Sequence, residues 1–226
     1  MAEYNDRISI QVGLSGYSFK IETDGSSSSS GWMSADRIFT APELQRRYGT
    51  VEIAVFTPKC ALVPLHFFSP ENAAQMLSDV VSLGKDDIVD YVEVPHAAAV
   101  LVYSNSIGEM LSKVLSETVR NREGGRARPL PELYYMLGQL PVITDYNKIL
   151  ASYMDGYLYL VIAQGKTLLL CNSYQAPDFT TAEYFIFFAM KKLQLNPEVS
   201  TVFFRTPLLE DQEMSLYRYF KNVELL

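Results

Sequence analysis

The most constraining feature of this sequence is residues 147–204, where apolar segments follow one another with few polar interruptions. Two strands are predicted on either side of Asp155-Gly156, and Gln164-Gly165 is typical of a tight turn into a third strand. A loop then leads to an apolar helix over residues 182–193 and a short strand over residues 199–204. The segment therefore predicts three successive strands, a helix and a fourth strand.

The predicted helix of this segment carries two further expectations. Thr180 and Glu183 have the T-x-x-E spacing of a capping box, which predicts the start of the helix. Its sequence is apolar nearly all round, which predicts a helix sandwiched in the core. A last amphipathic helix is predicted over residues 210–220.

The N-terminal half shows a similar layout. Ile8, Ile10 and Val12 alternate with polar residues, and residues 17–22 continue the alternation after a glycine-containing turn, which predicts a hairpin. The serine run 26–30 is predicted to be a flexible loop. Further strands are expected at 32–39, 51–56, 61–65, 89–94 and 97–103, with 61–65 beside 51–56, and helices at 42–48, 70–83 and 107–118.

An arginine-rich segment separates the two halves. Residues 120–128 hold Arg120, Arg122, Arg126 and Arg128 around Gly124-Gly125 without apolar periodicity, which favours a solvated linker. Contact with RNA or an acidic partner is the alternative. The net charge of −7 argues against a general nucleic-acid-binding surface.

The predicted division is a first half over 1–119, a linker with a short helix over 120–146 and a second half over 147–226. The start of the sequence lacks the pattern of a signal segment, and no apolar run has the length of a membrane helix. The two cysteines, Cys60 and Cys171, are expected to be buried free thiols, so we expect a cytoplasmic location. The spacings of these cysteines and of His66 and His96 match no zinc pattern, and a Cys60 nucleophile has no local signature.

The whole chain resembles an uncharacterised bacterial family that has an actin-like ATPase fold. The resemblance is carried by Ile-Ser-Ile-Gln-Val-Gly-Leu-Ser-Gly-Tyr-Ser-Phe at 8–19 and Leu-Leu-Leu-Cys-Asn-Ser-Tyr-Gln-Ala-Pro-Asp-Phe at 168–179. Residues 154–195 are also similar in layout to the second half of pilus-assembly-type actin-like proteins. The resemblance implies an α/β protein with two ribonuclease-H-like halves, each a mixed β-sheet flanked by helices.

Active members of that fold bind ATP and Mg²⁺ between the halves, and their first hairpin carries D-x-G-[ST]. Here Gln11 occupies the position of the aspartate, and an uncharged amide is a poor Mg²⁺ ligand. Gly13, Ser15 and Gly16 keep the chemistry of a turn. They are candidates for phosphate binding or for a plain β-turn.

The second hairpin of the fold also carries D-x-G, whereas Asp155 and Gly156 are adjacent in this sequence. These weakened motifs favour a degenerate, non-hydrolysing relative that acts as a scaffold for another protein, with a homodimer also open and no metal or cofactor expected. The first alternative is a nucleotide-binding protein or slow ATPase that binds ATP and Mg²⁺ through Asp155 and Ser15. The second is an RNA-associated factor that uses the arginine-rich segment.

Overall fold

The structure, a computed structural model, describes residues 6–14, 16–104 and 109–226. They fall into two compact units, and the chain passes from one to the other several times. Unit 1 comprises Met1–Thr57, Asp86–Ile88 and Asn105–Pro131, and unit 2 comprises Pro58–Lys85, Val89–Ser104 and Glu132–Leu226. The compact units are therefore discontinuous in sequence, unlike the contiguous halves expected from the order of the predicted elements.

The described residues form the strands and α-helices whose bounds follow. The strands are β1 (Arg7–Val12), β2 (Gly16–Thr23), β3 (Ser26–Ser29), β4 (Met33–Ser34), β5 (Arg47–Tyr48), β6 (Thr50–Val55), β7 (Cys60–Pro64), β8 (Val89–Val94), β9 (Ala99–Ser104), β10 (Arg120–Asn121), β11 (Pro129–Pro131), β12 (Asn147–Met154), β13 (Tyr157–Gln164), β14 (Thr167–Gln175), β15 (Thr201–Phe204) and β16 (Asn222–Leu225). The α-helices are α1 (Ala73–Ser78), α2 (Glu109–Thr118), α3 (Glu132–Gln139), α4 (Phe179–Lys192) and α5 (Glu210–Tyr217).

Unit 1 is built on a mixed sheet with the order β11-β6-β1-β2-β3, and the short β4 also pairs with β2. β1 is antiparallel to β2 and parallel to β6, and β6 is parallel to β11. The period-two alternation at the start of β1 places Ile8 and Ile10 in the core, together with Leu115 from α2. The predicted N-terminal hairpin is therefore confirmed.

Unit 2 contains a five-stranded sheet with the order β14-β13-β12-β15-β16. β12 is antiparallel to β13 and parallel to β15, which is parallel to β16, so this connectivity repeats that of the unit 1 sheet. One face packs on α4 and on Leu216 of α5, and α3 packs against β13. Burial of both faces explains why Leu158–Ile162 is a continuous apolar run instead of an alternating one.

A second sheet of unit 2 has the order β7-β9-β8 and packs on α1. β7 pairs antiparallel with β9, so the expectation that residues 61–65 lie beside residues 51–56 is wrong. Ala98, with φ of 47°, reverses the chain between β8 and β9. Apolar composition predicts that residues 61–65 form a strand, but tertiary packing decides which of the other strands it pairs with.

The serine run is the second correction, because Ser26–Ser29 forms β3 instead of a flexible loop. Thr23 pairs with Ser26, which leaves Asp24-Gly25 as a two-residue turn with Gly25 at φ of 88°. The strand lies at the edge of its sheet and its serines are exposed. The formation of β3 therefore depends on backbone hydrogen bonding to β2 and on the geometry of the turn, and the pattern of apolar and polar residues does not indicate either.

Three further differences concern short or irregular segments. Only Met33–Ser34 of the predicted strand 32–39 is a strand, and a 3-10 turn, Ala35–Arg37, follows it. The predicted helix 42–48 is the 3-10 turn Pro42–Gln45. β16 was not predicted, although its backbone pairs parallel with β15.

The arginine-rich segment is also folded onto unit 1 and is not a solvated linker throughout. Arg120–Asn121 pairs with β5, and Pro129–Pro131 forms an edge strand beside β6. Asn121 Oδ1 accepts a 2.6 Å hydrogen bond from the Gly125 backbone N–H, which closes a tight loop. Of the described helices, none combines the length and apolar character needed to span a bilayer.

Candidate functional site

The first candidate site is the turn between β1 and β2. The Gly13 backbone N–H donates a 3.0 Å hydrogen bond to the Gly16 carbonyl oxygen, so the two glycines close the hairpin. Both glycines are buried. Ser15, the third predicted residue of this turn, lies outside the described residues.

Gly16 is required by a close approach of the neighbouring strand. A Cβ atom added to Gly16 would overlap the Met33 carbonyl oxygen and would lie 3.0 Å from the Trp32 indole nitrogen. Gly16 also pairs with Ser34 of β4. The absence of a side chain here is therefore explained by strand pairing within unit 1.

Gln11, which stands where the fold's metal-orienting aspartate would be expected, is a buried residue of β1. It pairs with Ser18 on one side and Ala54 on the other. The Ser18 hydroxyl donates a long, 3.5 Å hydrogen bond to Gln11 Oε1. Its amide therefore contacts the neighbouring strand and carries no charge that would attract Mg²⁺.

The second candidate site, Asp155 and Gly156, is the two-residue turn between β12 and β13. Met154 pairs directly with Tyr157, and the φ angles of Asp155 and Gly156 are 52° and 76°. Two positive φ angles in a two-residue hairpin are those of a type I′ turn, which prefers Asn-Gly or Asp-Gly. The adjacency of the two residues is thus accounted for by hairpin geometry.

This turn lies at the end of β12 among several ordered backbone contacts. The Gly156 carbonyl oxygen accepts a 2.7 Å hydrogen bond from the Ala176 N–H, and the Tyr153 hydroxyl donates to the Ala176 carbonyl at 3.1 Å. The Tyr153 N–H donates to the Thr206 hydroxyl at 3.0 Å. Thr206 follows β15, so the carboxyl ends of two parallel strands meet here, an edge where α/β proteins often bind ligands.

A buried ion pair lies beside the same strands and was not anticipated from the sequence. Glu132, the first residue of α3, is fully buried, and its carboxylate lies 3.0 Å from the Arg205 guanidinium, whose side chain is 9% exposed. The Ser152 hydroxyl donates a 2.7 Å hydrogen bond to Glu132 Oε1. Arg205 also lies over the ring of Tyr135, at 5.6 Å from its centroid. The only sequence signal was that both charged residues adjoin apolar segments.

Cys60 and Cys171 are free, as predicted, but both are half-buried in unit 2 instead of fully buried. Desolvation raises the pKa of the Cys171 thiol to about 12 and raises that of Cys60 well above its usual range, with a further contribution from Cys171. Burial likewise raises the pKa of the Tyr159 hydroxyl, and Cys60 and Glu132 add to this effect. Thiols held in the protonated form are poor nucleophiles, which argues against Cys60 catalysis.

The two histidines lie apart from any such chemistry. His96 Nε2 is 2.9 Å from the Leu137 carbonyl oxygen, and the exposed His66 ring lies 4.1 Å from the Phe67 ring, centroid to centroid. Within residues 6–14, 16–104 and 109–226, no three histidine, cysteine, aspartate or glutamate side chains are grouped as a metal site would require.

The arginines of the 120–128 segment have partners in unit 1. Arg122 forms a 2.7 Å ion pair with Asp6. Arg120 donates hydrogen bonds to the carbonyl oxygens of Glu117 at 3.1 Å and Gly124 at 3.3 Å. These contacts hold the segment against other residues of unit 1.

Helix α4 differs from its prediction at its start and on its outer face. The Thr181 N–H donates a 2.7 Å hydrogen bond to Asp178 Oδ1, so Asp178 is the N-cap and the predicted Thr180–Glu183 capping box is wrong. Tyr184 and Phe188 are 59% and 43% exposed, so α4 is not sandwiched in the core. Their rings stack at 5.9 Å, and Lys192 Nζ lies 5.5 Å from the Phe188 centroid. We call Tyr184, Phe188, Lys191 and Lys192 the α4 stripe.

Helix α5 also has an exposed stripe on unit 2. Met214 and Tyr217 are 60% and 43% exposed, and Glu210 and Glu213 lie on the same face at helical spacing. We call these four residues the α5 stripe. Contiguous exposed apolar side chains bordered by charges are typical of surfaces that bind other proteins.

The fold of the chain is that of actin-like ATPases. The structure resembles a Bacteroides thetaiotaomicron protein with an actin-like ATPase fold and unknown function, at a TM-score of 0.67 and 18% identity, over 100% of this chain and 94% of that one. It also resembles a chain of the PilM-PilN type IV pilus biogenesis complex, at a TM-score of 0.50 and 12% identity, over 97% and 88% of the two chains. Identities this low establish the fold alone, and both likenesses agree with the resemblance identified from the sequence.

Sequence comparison gives the family itself. No curated protein was found to match the chain. A family model described as "Protein of unknown function (DUF3822)" matches residues 3–223, which is nearly the full length. The chain therefore belongs to the DUF3822 family.

Proposed function

We propose that this protein is a non-hydrolysing member of the actin-like fold that serves as a protein-binding scaffold. The observation that carries the proposal is the β1–β2 hairpin, where a neutral, buried Gln11 replaces the metal-orienting aspartate that the resemblance implies. Gly16 has no side chain because the Met33 carbonyl oxygen lies where a Cβ atom would be. Both residues thus have structural roles within unit 1 that need no nucleotide.

The second hairpin supports the same proposal. Asp155 and Gly156 have the backbone geometry of a type I′ turn, and the Gly156 carbonyl is hydrogen-bonded to Ala176. An Asp-Gly pair is what such a turn selects, whether or not a phosphate is bound. The exposed apolar residues of the α4 and α5 stripes supply a surface for the scaffold role.

Nucleotide binding is the competing proposal, and one observation favours it. Asp155 and Thr206 follow the carboxyl ends of the parallel strands β12 and β15. Ligands of open α/β sheets commonly lie at such an edge. Asp155 is exposed there and carries the carboxylate that Gln11 lacks.

Calorimetric titration with Mg-ATP and with ADP separates the two proposals. We expect no heat of binding, and a dissociation constant below roughly 100 µM, about 5.5 kcal/mol of binding free energy, would contradict the scaffold proposal. The matched variant is Asp155→Asn, since Asn-Gly preserves a type I′ turn while removing the charge. Binding that is present in the original protein and lost in Asp155→Asn would establish a nucleotide site at this turn.

A further inference from the structure

The two sheets of unit 2 approach each other where β14 meets the start of β7. β14 is the outer strand of the five-stranded sheet, and β7 is an outer strand of the three-stranded sheet. The Ser173 hydroxyl of β14 donates a 2.8 Å hydrogen bond to the Pro58 carbonyl oxygen, and the Cys60 backbone N–H donates to the same oxygen at 3.1 Å. A single acceptor therefore joins the segment that holds Cys60 to β14, the strand that holds Cys171.

The side chain of Cys171 lies on the face of β14 that is turned toward this contact. Successive side chains of a strand alternate between its two faces, so Cys171 and Ser173 share one face. Their partners on β13 are Val161 and Tyr159. The other face of β13 carries Leu160, which belongs to the core cluster formed with α4. Cys171 therefore faces away from α4 and toward the start of β7.

The positions of the two cysteines relative to this contact match the register of an antiparallel pair. Cys171 precedes Ser173 by two residues, and Cys60 follows Pro58 by two residues. Strands that run in opposite directions place such residues opposite each other.

The pKa values of the surrounding groups agree with this register. Desolvation is the main cause of the raised pKa of Cys60, and Cys171 adds to it. Desolvation also raises the pKa of Tyr159, the β13 neighbour of Ser173, and Cys60 adds to that effect. Because a neighbouring charge shifts a pKa only at short range, Cys60 lies close to both Cys171 and Tyr159.

We propose that Cys60 and Cys171 form an intramolecular disulfide with a small-molecule disulfide as the oxidant, and that this bond links the three-stranded sheet of unit 2 to its five-stranded sheet. One cysteine thiolate attacks the small disulfide, which gives a mixed disulfide and releases one small thiol. The second cysteine attacks the protein sulfur of the mixed disulfide and releases the other small thiol. The two cysteines lose two electrons and two protons, and the small disulfide gains both. The inference is independent of the proposed scaffold role.

The burial that slows formation of this bond also makes the bond durable. Thiolates are scarce because desolvation raises the pKa of both thiols, so the first attack is slow. In the reverse direction, a thiol of high pKa is a poor leaving group, and no stabilised thiolate favours the reduced form. The pair therefore responds to prolonged oxidation and not to a brief exposure.

Equilibration of the purified chain with oxidised and reduced glutathione tests the proposal. The exchange is quenched with N-ethylmaleimide in mildly acidic urea, and the protein is digested with trypsin without reduction. The expected product is a linked pair of the peptides 60–85 and 167–191, which hold the two cysteines. At one glutathione ratio, linked over reduced chain should be about 100-fold higher in buffer than in urea, because the folded structure holds the thiols together.

Thermal unfolding gives a second measurement of the same link. The oxidised original chain should melt about 5–15 °C above the reduced chain, and dithiothreitol should abolish the difference. Cys60→Ser and Cys171→Ser are the matched controls, because each keeps one thiol and can form only a mixed disulfide or a link between two chains. Neither variant should show the rise in melting temperature.

Several results with the original chain would overturn the proposal. They are glutathione adducts on both cysteines without a link, a link formed only between chains, and a ratio of linked to reduced chain no higher in buffer than in urea. A linked chain that melts below the reduced chain would overturn it as well, because the bond would then strain the fold. The decisive measurements use the original chain, so they stand even if a serine variant fails to fold.

Discussion

The Arg205 guanidinium lies 3.0 Å from the carboxylate of Glu132, and the Glu132 side chain is fully buried. Ser152 of β12 donates to the same carboxylate, so the ion pair links the first turn of α3 to the five-stranded sheet. A buried charge is costly when it loses its partner, because neither water nor another ion compensates it. The ion pair therefore fixes the position of α3 against the sheet.

Removal of one partner of this pair should be strongly destabilising. Glu132→Leu or Arg205→Met alone is expected to lower the free energy of unfolding by about 3–5 kcal/mol, because each leaves an uncompensated buried charge. The double variant should lose less free energy of unfolding than either single variant, because it leaves no unpaired buried charge. Urea unfolding followed by circular dichroism measures the three losses.

The control for this prediction is the exposed ion pair between Lys20 and Glu22, which are 3.0 Å apart. Glu22→Gln should cost less than about 1 kcal/mol, because water screens an exposed pair. If the Glu132–Arg205 double variant is less stable than both single variants, the attraction between the two charges contributes more to stability than the cost of leaving one charge unpaired, and the prediction is wrong.

Two glycine-to-alanine substitutions should change stability in opposite directions. Gly16→Ala places a methyl group against the Met33 carbonyl oxygen and should cost about 1–3 kcal/mol, the usual range for overpacking. Gly138→Ala lies on an exposed position of α3 with open space around it, and should stabilise by about 0.5–1 kcal/mol. Chemical denaturation of both variants gives the comparison, and an unchanged Gly16→Ala protein would contradict the assigned role of β4.

The Asp178 cap should make the stability of unit 2 depend on pH. Hydrogen bonds from the backbone and side chain of Thr181 lower the pKa of Asp178 below its ordinary value of 3.8. Because the pKa of Asp178 is lower in the folded state than in the unfolded state, its carboxylate stabilises the folded state fully above pH 3.8. This stabilisation is lost as the pH falls through the pKa of Asp178 in the folded state. Asp178→Ala should therefore lower the melting temperature at pH 7 and have a smaller effect at a pH well below 3.8.

The matched control for the cap is Asp178→Asn, since asparagine also accepts the N-cap hydrogen bond but does not titrate in this range. Its melting temperature should stay near that of the original chain at pH 7. An equal loss in Asp178→Ala at both pH values would indicate that the side chain contributes by packing instead.

The cysteines should be protected while the protein is folded. Because the pKa of the Cys171 thiol is raised to about 12, its thiolate is scarce at pH 8.5, and iodoacetamide should alkylate it slowly. In urea both Cys60 and Cys171 should react at the rate of an ordinary thiol, as measured by mass spectrometry. Because the pKa of Cys171 is higher in the folded state than in the unfolded state, its contribution to folding stability is fully present below the pKa of the unfolded thiol. That contribution is lost as the pH rises toward 12. Rapid alkylation of the folded chain would contradict this assignment.

Several elements could be predicted because their signal is local. The strands on either side of Asp155-Gly156 follow from apolar runs that end at a turn, and α3 follows from a short apolar segment bounded by prolines. The free cysteines were predicted from their apolar neighbours. Such features need only contacts between residues near in sequence, or burial that any core would provide.

The expectations from sequence are wrong where a residue's environment depends on distant parts of the chain. Residues 61–65 pair with β9, and Arg122 with Asp6, because of chain crossings that no local pattern reports. Phe188 was predicted to be buried from its hydrophobicity, but its face of α4 points away from the core. A serine run became a strand because β2 offered a free edge and Asp24-Gly25 turned the chain onto it.

The sequence by itself determined the repeated order of strands and helices, the turn chemistry of Asp155-Gly156 and the resemblance that implies an actin-like fold. These properties reside in short-range periodicity and in the backbone freedom of glycine. Only the tertiary structure decided that Glu132 meets Arg205, that Gly16 must admit Met33, and that α4 and α5 display their stripes on one side of unit 2. Such juxtapositions depend on how strands pair and helices pack, which is a property of the folded chain as a whole.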